Sequence, residues 1–232
     1  AAHHSKADSI VLCDTNGGTL PKEIYEIVKN IIKMGIPGNK LGIHCHNDTE
    51  NAVANSFAAI DAGVRQIQGT INGLGERCGN ANLVSIIPTL ILKKHYNQRF
   101  DVNIDKTKLK DITKLSRILD EILNRVPNKA SPYVGAAAFS HKAGLHASAI
   151  IKDPKTYEHV NPSDVGNVRV IPVSNQAGKS NLLKILNESG VEIQKNDDRL
   201  YKILEEIKEK EDYGYSFDVA GASFEIFARR KL

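Results

Sequence analysis

The stretch that decides the fold runs from residue 41 to residue 83, LGIHCHNDTENAVANSFAAIDAGVRQIQGTINGLGERCGNANL. It opens with a short apolar run that ends in two histidines, His44 and His46. Because residues two apart on a strand face the same side, both imidazoles are expected to point to one spot. A divalent metal needs that geometry from neighbouring ligands, so the stretch favours an enzyme site over a binding module.

This stretch and the regions on either side of it alternate between strand and helix patterns. Short apolar runs predict strands, whereas apolar residues at three- and four-residue spacing predict helices. Pro21 suits a first helical turn, and Gly35 suits the position after a helix end. The predicted strands are 9–13, 41–45 and 64–71, and the predicted helices are 21–34, 48–61 and 80–94. This βαβαβα order with short loops predicts a parallel sheet buried on both faces.

The chemically active side chains fall at the ends of the predicted strands or just beyond them. Parallel α/β folds place their active sites at that edge of the sheet. These residues are Asp14, Thr15, His44, His46, Asn72, Glu76, Arg77 and Asn80. Farther along, the spacing predicts an amphipathic helix over 106–126 and further helices over 179–188 and 198–210.

Composition excludes several classes of function. The chain has 232 residues, a net charge of +4 and 25% charged residues of both signs, which does not suggest a nucleic-acid-binding surface. No apolar run reaches membrane-spanning length, and the first residues carry no signal-peptide pattern. Three cysteines form too sparse a set for a disulfide framework. We therefore expect a cytoplasmic protein.

Spacing alone leaves alternatives open. His44 and His46 suit a metal site and, about equally, a packed pair at a strand end. Asn80 is a candidate metal ligand or a helix N-cap, and the glycine-rich loop before it could simply carry a Glu76–Arg77 surface pair. Two imidazoles plus oxygen ligands suit Mg²⁺, Mn²⁺ or Zn²⁺ without deciding between them.

Two later histidines, His141 and His146, are candidates for general acid–base chemistry or for structural packing. Tyr157 could serve as a hydrogen-bond partner or as an interface aromatic.

The chain resembles the isopropylmalate, homocitrate and citramalate synthase family. Its HCHND segment at 44–48 is similar to the family's metal-binding motif, and NGLGERCGN at 72–80 is similar to the second motif. DTNG at 14–17 and AFSHKAGLH at 138–146 also match family segments, the latter being the one that carries the catalytic histidine. The segments YEHVNPSDVGN at 157–167 and FDVAGASF at 217–224 are most similar to the citramalate branch.

The resemblance implies the C-terminal part of a TIM (β/α)8 barrel followed by mostly helical linker subdomains. The expected division is 1–97 for the barrel units, 98–170 for a linker subdomain with the catalytic His and Tyr, and 171–232 for a helical subdomain leading toward a regulatory domain. The family's first-strand Arg-Asp pair and fifth-strand Glu have no counterpart here. The resemblance therefore implies a fragment truncated at both ends and inactive in isolation.

The resemblance further implies a divalent metal, Mg²⁺, Mn²⁺ or Zn²⁺, that binds a 2-oxo acid and is held or supported by His44, His46 and Asn80. His146 is the implied base, with Tyr157 as its partner.

By the same resemblance, Thr15 contacts the oxo-acid carboxylate, while Glu76 and Arg77 organise their loop. The implied reaction joins acetyl-CoA to pyruvate, giving (R)-citramalate for isoleucine synthesis, in a homodimer with swapped post-barrel segments. The alternatives are 2-isopropylmalate synthesis for leucine and a non-catalytic dimerising fragment.

Overall fold

The computed structural model describes residues 2–141, 146, 149–150, 152–171, 182–183, 186–187, 190–191, 193–194, 196–217 and 221–232. The chain divides into two compact units. The first comprises residues 1–127 with 132–134, and the second comprises 128–131 with 135–232. Each unit has its own buried apolar cluster.

Three parallel strands organise the first unit. They are β1 (Ile10–Asp14), β2 (Leu41–Cys45) and β3 (Gln66–Gln68), and they are adjacent in that order. Two helices make the connections, α1 (Pro21–Lys33) from β1 to β2 and α2 (Ala52–Ala62) from β2 to β3. The predicted alternation and the parallel sheet are therefore confirmed.

Local sequence fixes both ends of α1. Pro21 occupies the first turn, and the Leu20 amide donates to Glu23 Oε2 over 2.8 Å. After the helix, Gly35 takes a φ of +95°, the left-handed conformation that glycine adopts without a steric penalty.

Only one face of the sheet packs into the apolar core. Leu41 and Ile43 of β2 cluster with Ile24 and Val28 of α1 and with Ile60 of α2, and all five are buried. The alternate positions on the other face are different: Cys13, Gln66 and Gln68 are exposed. The prediction of a sheet buried on both faces is therefore wrong in the described part of the chain, because its second face carries polar side chains with no helix packed over them.

Helix α2 begins four residues later than predicted. Glu50 has a φ of +60°, which interrupts a helical path from Asp48. The side chain of Asn47 nevertheless binds the first turn of α2, because its Oδ1 accepts a hydrogen bond from the Ala52 amide over 3.1 Å. Residues 46–51 thus form a loop rather than the first turn of a helix.

The third βα unit is also shorter than predicted. Strand β3 ends at Gln68, and Thr70 then bridges to Asn82. Helix α3 (Leu83–Leu92) begins after Asn82, whose side chain accepts from the Val84 amide over 3.1 Å. A short helix, α4 (Lys94–Asn97), follows.

The predicted helix over 106–126 is divided, and the apolar residues of its later part face outward. Residues Lys106–Asp111 form a 3-10 helix, and α5 (Ile112–Ile122) follows. Thr113 and Ser116 of α5 are buried, whereas Ile122 is 75% and Val126 is 90% exposed. A surface helix ordinarily turns its apolar stripe toward the core, so this orientation leaves an unusual apolar surface.

The second unit is built mainly from helices. Short 3-10 helices span Pro154–Thr156 and Pro162–Val165, and α6 (Asp198–Asp212) and α7 (Gly221–Arg229) follow. Its core is formed by Leu182, Leu186, Leu200, Ile203, Leu204, Ile207, Phe217, Phe224 and Ala228. The predicted helix at 198–210 is confirmed, whereas most of the one predicted at 179–188 lies outside the described residues. No helix in the described ranges is long and apolar enough to cross a membrane.

Candidate active site

The candidate site lies on three loops at the carboxyl edge of the sheet. The first loop comprises residues 15–20, the second 46–51 and the third 69–82. Backbone hydrogen bonds hold the second loop in place. The His46 amide donates to the carbonyl of Asp14, the last residue of β1, over 3.3 Å, and the Asn47 amide donates to the Gly79 carbonyl of the third loop over 2.9 Å. Side chains that the sequence scatters over 65 residues are thereby brought to one edge.

His44 and His46 lie side by side, as their spacing predicts. Their ring centroids are 5.2 Å apart, and the ring planes are inclined by 60°. His44 is paired with Cys13 in the sheet and so occupies the polar face, away from the core. The Nδ1 atom of His46 is buried and has no hydrogen-bond partner, so one imidazole nitrogen is available to a ligand.

Asn80 lies beside His46. The two residues form an isolated antiparallel bridge, which places their side chains on the same face. Asn80 Nδ2 donates to the Leu74 carbonyl over 3.0 Å, while Asn80 Oδ1 is buried and has no partner. The N-cap alternative is wrong, because Asn82 caps α3. Asn80 therefore contributes an oriented amide oxygen with an unfilled acceptor site.

Glycines allow the third loop to fold this tightly. A Cβ added to Gly75 would lie 2.1 Å from Asn80 Nδ2. A Cβ added to Gly79, whose φ is +88°, would lie 2.0 Å from the Gly73 carbonyl oxygen. Larger residues at either position would push the Asn80 amide out of place.

The site thus offers two imidazoles and one amide oxygen. In the described part of the chain, no three His, Cys, Asp or Glu side chains come together as a metal-binding group. Cys45, between the two histidines, faces the opposite way and is buried in the apolar core. Burial and the nearby Asp14 carboxylate raise the pKa of its thiol to about 12. Nitrogen and neutral oxygen ligands of this kind suit a borderline or hard divalent cation.

Asp14 belongs to the helix-facing side of the sheet, since its partner in the register is Cys45 and not His44. It is buried, and its Oδ1 accepts a hydrogen bond from Thr19 Oγ1 over 2.8 Å. The Oδ2 atom is buried without a partner. Asp14 therefore supports the first loop from the helix-facing side of the sheet and is not among the candidate ligands.

Arg77 pairs with a residue that sequence reasoning did not connect to it. Its guanidinium is 3.9 Å from Glu76, but it binds Asp48 with two hydrogen bonds of 2.7 and 3.0 Å. These bonds hold the pKa of the Asp48 carboxyl below its usual range. Arg77 also donates to the carbonyl of the exposed Thr15 over 2.7 Å. No local pattern signals a pair separated by 29 positions.

Asn72, although it stands at the strand end, is fully engaged elsewhere. Its Nδ2 donates to the Ser116 carbonyl over 3.0 Å and to Asp120 Oδ1 over 3.1 Å. Its Oδ1 accepts from Ser116 Oγ over 2.6 Å. Asn72 therefore anchors α5 to the third loop and is not a candidate for contact with a ligand.

The other predicted site residues belong to the second unit. His146 and Tyr157 are both exposed, and their ring centroids are 4.2 Å apart. The segments 142–145 and 147–148 on either side of His146 lie outside the described residues.

His141, the alternative histidine, has a structural partner. Its Nε2 lies 3.3 Å from Oε1 of the buried Glu158, which also accepts two hydrogen bonds from Arg169, of 2.6 and 2.5 Å. The Arg169 guanidinium lowers the pKa of the Glu158 carboxyl, so the pair is ionised at neutral pH. This contact favours a structural role for His141 and leaves His146 as the accessible histidine.

Comparison with known proteins agrees with this geometry. Residues 1–117 match the HMGL-like family, and residues 133–214 match the family described as Homocitrate synthase post-HMGL domain-like. The chain is 53% identical over 230 residues to the (R)-citramalate synthase of Aquifex aeolicus (strain VF5), which covers 99% of this chain and 42% of the relative.

Two further relatives define the range of similarity. The (R)-citramalate synthase of Geobacter sulfurreducens is 50% identical, over 100% of this chain and 43% of the relative. The Probable 2-isopropylmalate synthase of Methanopyrus kandleri is 36% identical, over 90% of this chain and 40% of the relative. The chain spans less than half the length of each of these relatives. Its three βα units are the C-terminal part of a TIM barrel, and the chain belongs to the HMGL-like family.

Proposed function

We propose that the chain is part of an acyltransferase that converts acetyl-CoA, pyruvate and water into (R)-citramalate and CoA, a step toward isoleucine. The observation that carries the proposal is the His46–Asn80 pair, in which a buried nitrogen and a buried oxygen on one face both lack a partner. The relatives named (R)-citramalate synthase support the choice of reaction.

A divalent metal fits this part of the site. An unpaired buried polar atom is costly unless something occupies its hydrogen-bonding position, and here two such atoms lie beside a second imidazole. His44, His46 and Asn80 would hold the ion, with its remaining positions open. When bound, the metal acts as a Lewis acid that polarises the keto group of the oxo acid.

The first loop is proposed to orient the oxo acid. Thr15 is exposed just after β1, and its carbonyl accepts a hydrogen bond from Arg77, which ties this residue to the candidate site. We assign Thr15 to the oxo-acid carboxylate. Glu76 is 80% exposed and only 3.9 Å from Arg77, which supports a loop role over direct chemistry.

His146 is proposed to move the proton in the carbon–carbon bond-forming step. It takes a proton from the methyl group of acetyl-CoA, and that carbon forms a bond to the keto carbon of pyruvate, whose oxygen then gains a proton. Water afterwards breaks the thioester, giving the new carboxylate and the CoA thiol. The ring of Tyr157, 4.2 Å from that of His146, would hold the imidazole in position.

A homodimer is part of the proposal. The exposed side of α5 and the residues just after it carry an apolar group, and a second copy of the chain is the occupant we propose for it. Its members are Leu115, Ile118, Ile122, Leu123 and Val126, all exposed. Monomeric proteins rarely expose contiguous apolar patches of this kind without a partner.

The test is the release of CoA thiol from acetyl-CoA with Mn²⁺ and either pyruvate or 2-oxoisovalerate. Two proteins are compared. One is the chain itself, and the other is the Aquifex aeolicus relative in which this chain replaces the matched segment, called the hybrid below.

Thiol release by the hybrid with pyruvate, well above that with 2-oxoisovalerate, is the expected result. A preference for 2-oxoisovalerate would instead favour 2-isopropylmalate synthesis, the reaction named for a more distant relative. No release with either acid, from a folded hybrid, would contradict the enzyme proposal and favour a non-catalytic dimerising role.

A further inference from the structure

The guanidinium of Arg77 connects all three loops of the candidate site. It belongs to the third loop, binds both carboxylate oxygens of Asp48 in the second loop, and donates to the Thr15 carbonyl in the first. A planar guanidinium can make these directed contacts at the same time, whereas an ammonium group cannot reproduce the bidentate pair.

The first and second loops also contact each other directly. Thr49 Oγ1 donates to the Gly17 carbonyl over 2.8 Å. A Cβ at Gly17 would lie 2.3 Å from Asp48 Oδ2, so the first loop passes directly against this carboxylate. The position of Asp48 therefore helps to set the path of the first loop as well as that of the second.

The backbone at Arg77 has a conformation that is unfavourable for a residue with a side chain. Its φ of +55° lies in the left-handed region, which glycine adopts far more readily than arginine. Glycines flank this position closely, at Gly75 and Gly79. A residue held in such a conformation points to a role for its side chain.

We propose that Arg77 is a positioning residue that sets the distance between the oxo-acid contact at Thr15 and the metal ligand His46, by fixing the first loop to the second through Asp48. The proposal rests on the proposed function for its chemistry, but its structural part can be tested without it. Arg77 touches neither substrate nor metal in this account.

The left-handed backbone conformation at Arg77 suits glycine, so Arg77→Gly removes the guanidinium without straining the backbone. A loss of order in the three loops of this variant therefore reports on the missing side chain. Arg77→Lys keeps the charge without the paired hydrogen bonds. Arg99→Gln is the matched control, because Arg99 forms a 3.0 Å ion pair with Asp61 in the same unit but away from the loops.

Amide hydrogen exchange, followed by NMR in the chain itself, is the direct measurement. Gly17, Asn47 and Gly79 report on the first, second and third loops, because each amide makes a backbone hydrogen bond there. We expect Arg77→Gly to raise exchange at least about tenfold at all three amides, with Arg77→Lys intermediate and Arg99→Gln unchanged. Unaltered exchange in β2 (Leu41–Cys45) shows in each case that the variant is folded.

An increase confined to Gly79, or none, would overturn the inference. In the hybrid, Arg77→Gly is expected to raise the KM for pyruvate at least about tenfold, more than it lowers kcat, whereas an unchanged KM would also overturn it. The two proposals fail separately: an inactive wild-type hybrid contradicts the function, while the exchange data still decide whether Arg77 orders the loops.

Discussion

The two units present their candidate catalytic side chains in opposite ways. In the first, His46 and Asn80 are held by interlocked loops, and each keeps one buried atom without a partner. In the second, His146 and Tyr157 are exposed and contact each other. Ligands that are already held in place favour metal binding, because little order has to be gained when the ion binds, whereas a proton-transfer pair must be accessible to a substrate. The difference supports separate roles for the two groups.

Replacing His146 is expected to produce the largest change. In the hybrid, His146→Ala should lower kcat by about 10²–10⁴-fold, the usual contribution of a general acid or base, while Mn²⁺ affinity stays the same. Steady-state kinetics and Mn²⁺ titration would check this. His141→Gln is the comparison, because His141 is bonded to Glu158. Wild-type turnover in His146→Ala would remove the proposed base.

Replacing His46 should instead weaken the binding of Mn²⁺. His46→Ala is expected to weaken Mn²⁺ binding by about 100-fold or more, since changes in residues that merely support ligands already cost about 10–100-fold. Titration followed by the EPR signal of free Mn²⁺ measures this in the chain itself. The control is His95→Ala, since His95 is exposed and lies beside Asp61. Equal affinity in the two variants would contradict the metal assignment.

The buried Glu158 contacts His141 and Arg169 in the second unit, and its removal should destabilise that unit. Glu158→Gln is expected to cost about 1–3 kcal/mol at pH 7, because it leaves Arg169 without its charged partner. Glu225→Gln is the control, since its pair with Arg229 is exposed and should contribute below about 0.5 kcal/mol. Thermal unfolding gives both values.

This loss should depend on pH in a defined direction. Arg169 holds the pKa of Glu158 below the ordinary 4.5, so its stabilisation is complete above that value and disappears as the pH falls through the lower, folded-state pKa. The difference between wild type and Glu158→Gln should therefore shrink between pH 5 and pH 3, within about that range. A difference that grows on acidification would contradict the ion-pair account.

A smaller effect is expected at the apolar side of α5. Ile122→Lys should weaken self-association about tenfold, since Ile122 is 75% exposed on the proposed dimer surface. Sedimentation velocity across a concentration series measures it, with Lys114→Gln on an exposed polar position of the same helix as the control. A wild-type chain that stays monomeric throughout would contradict the dimer.

Local sequence patterns predicted the parts of the fold that depend on neighbours along the chain. Apolar periodicity located β1, β2 and α1, and the two-residue spacing of His44 and His46 predicted their contact. Element ends were less predictable, because the start of α2 depends on the left-handed conformation of Glu50.

Features set by distant contacts could not be predicted. The orientation of α5 depends on hydrogen bonds from Asn72 to Ser116 and Asp120, 44 and 48 positions away. The partner of Arg77 is Asp48, with two hydrogen bonds of 2.7 and 3.0 Å, whereas the adjacent Glu76 approaches the guanidinium only to 3.9 Å. Periodicity carries no information on either choice, since both follow from how the loops meet.

The central claim is that His44 and His46 bind a divalent metal at the loop edge. Pulsed EPR on the Mn²⁺-loaded chain tests it most directly, because imidazole nitrogens bound to Mn²⁺ produce a distinct nuclear modulation. The account predicts modulation from two imidazoles, reduced in His44→Gln and in His46→Gln and unchanged in His95→Gln. Mn²⁺ that binds without imidazole modulation, or with modulation unaffected by either loop variant, would contradict it.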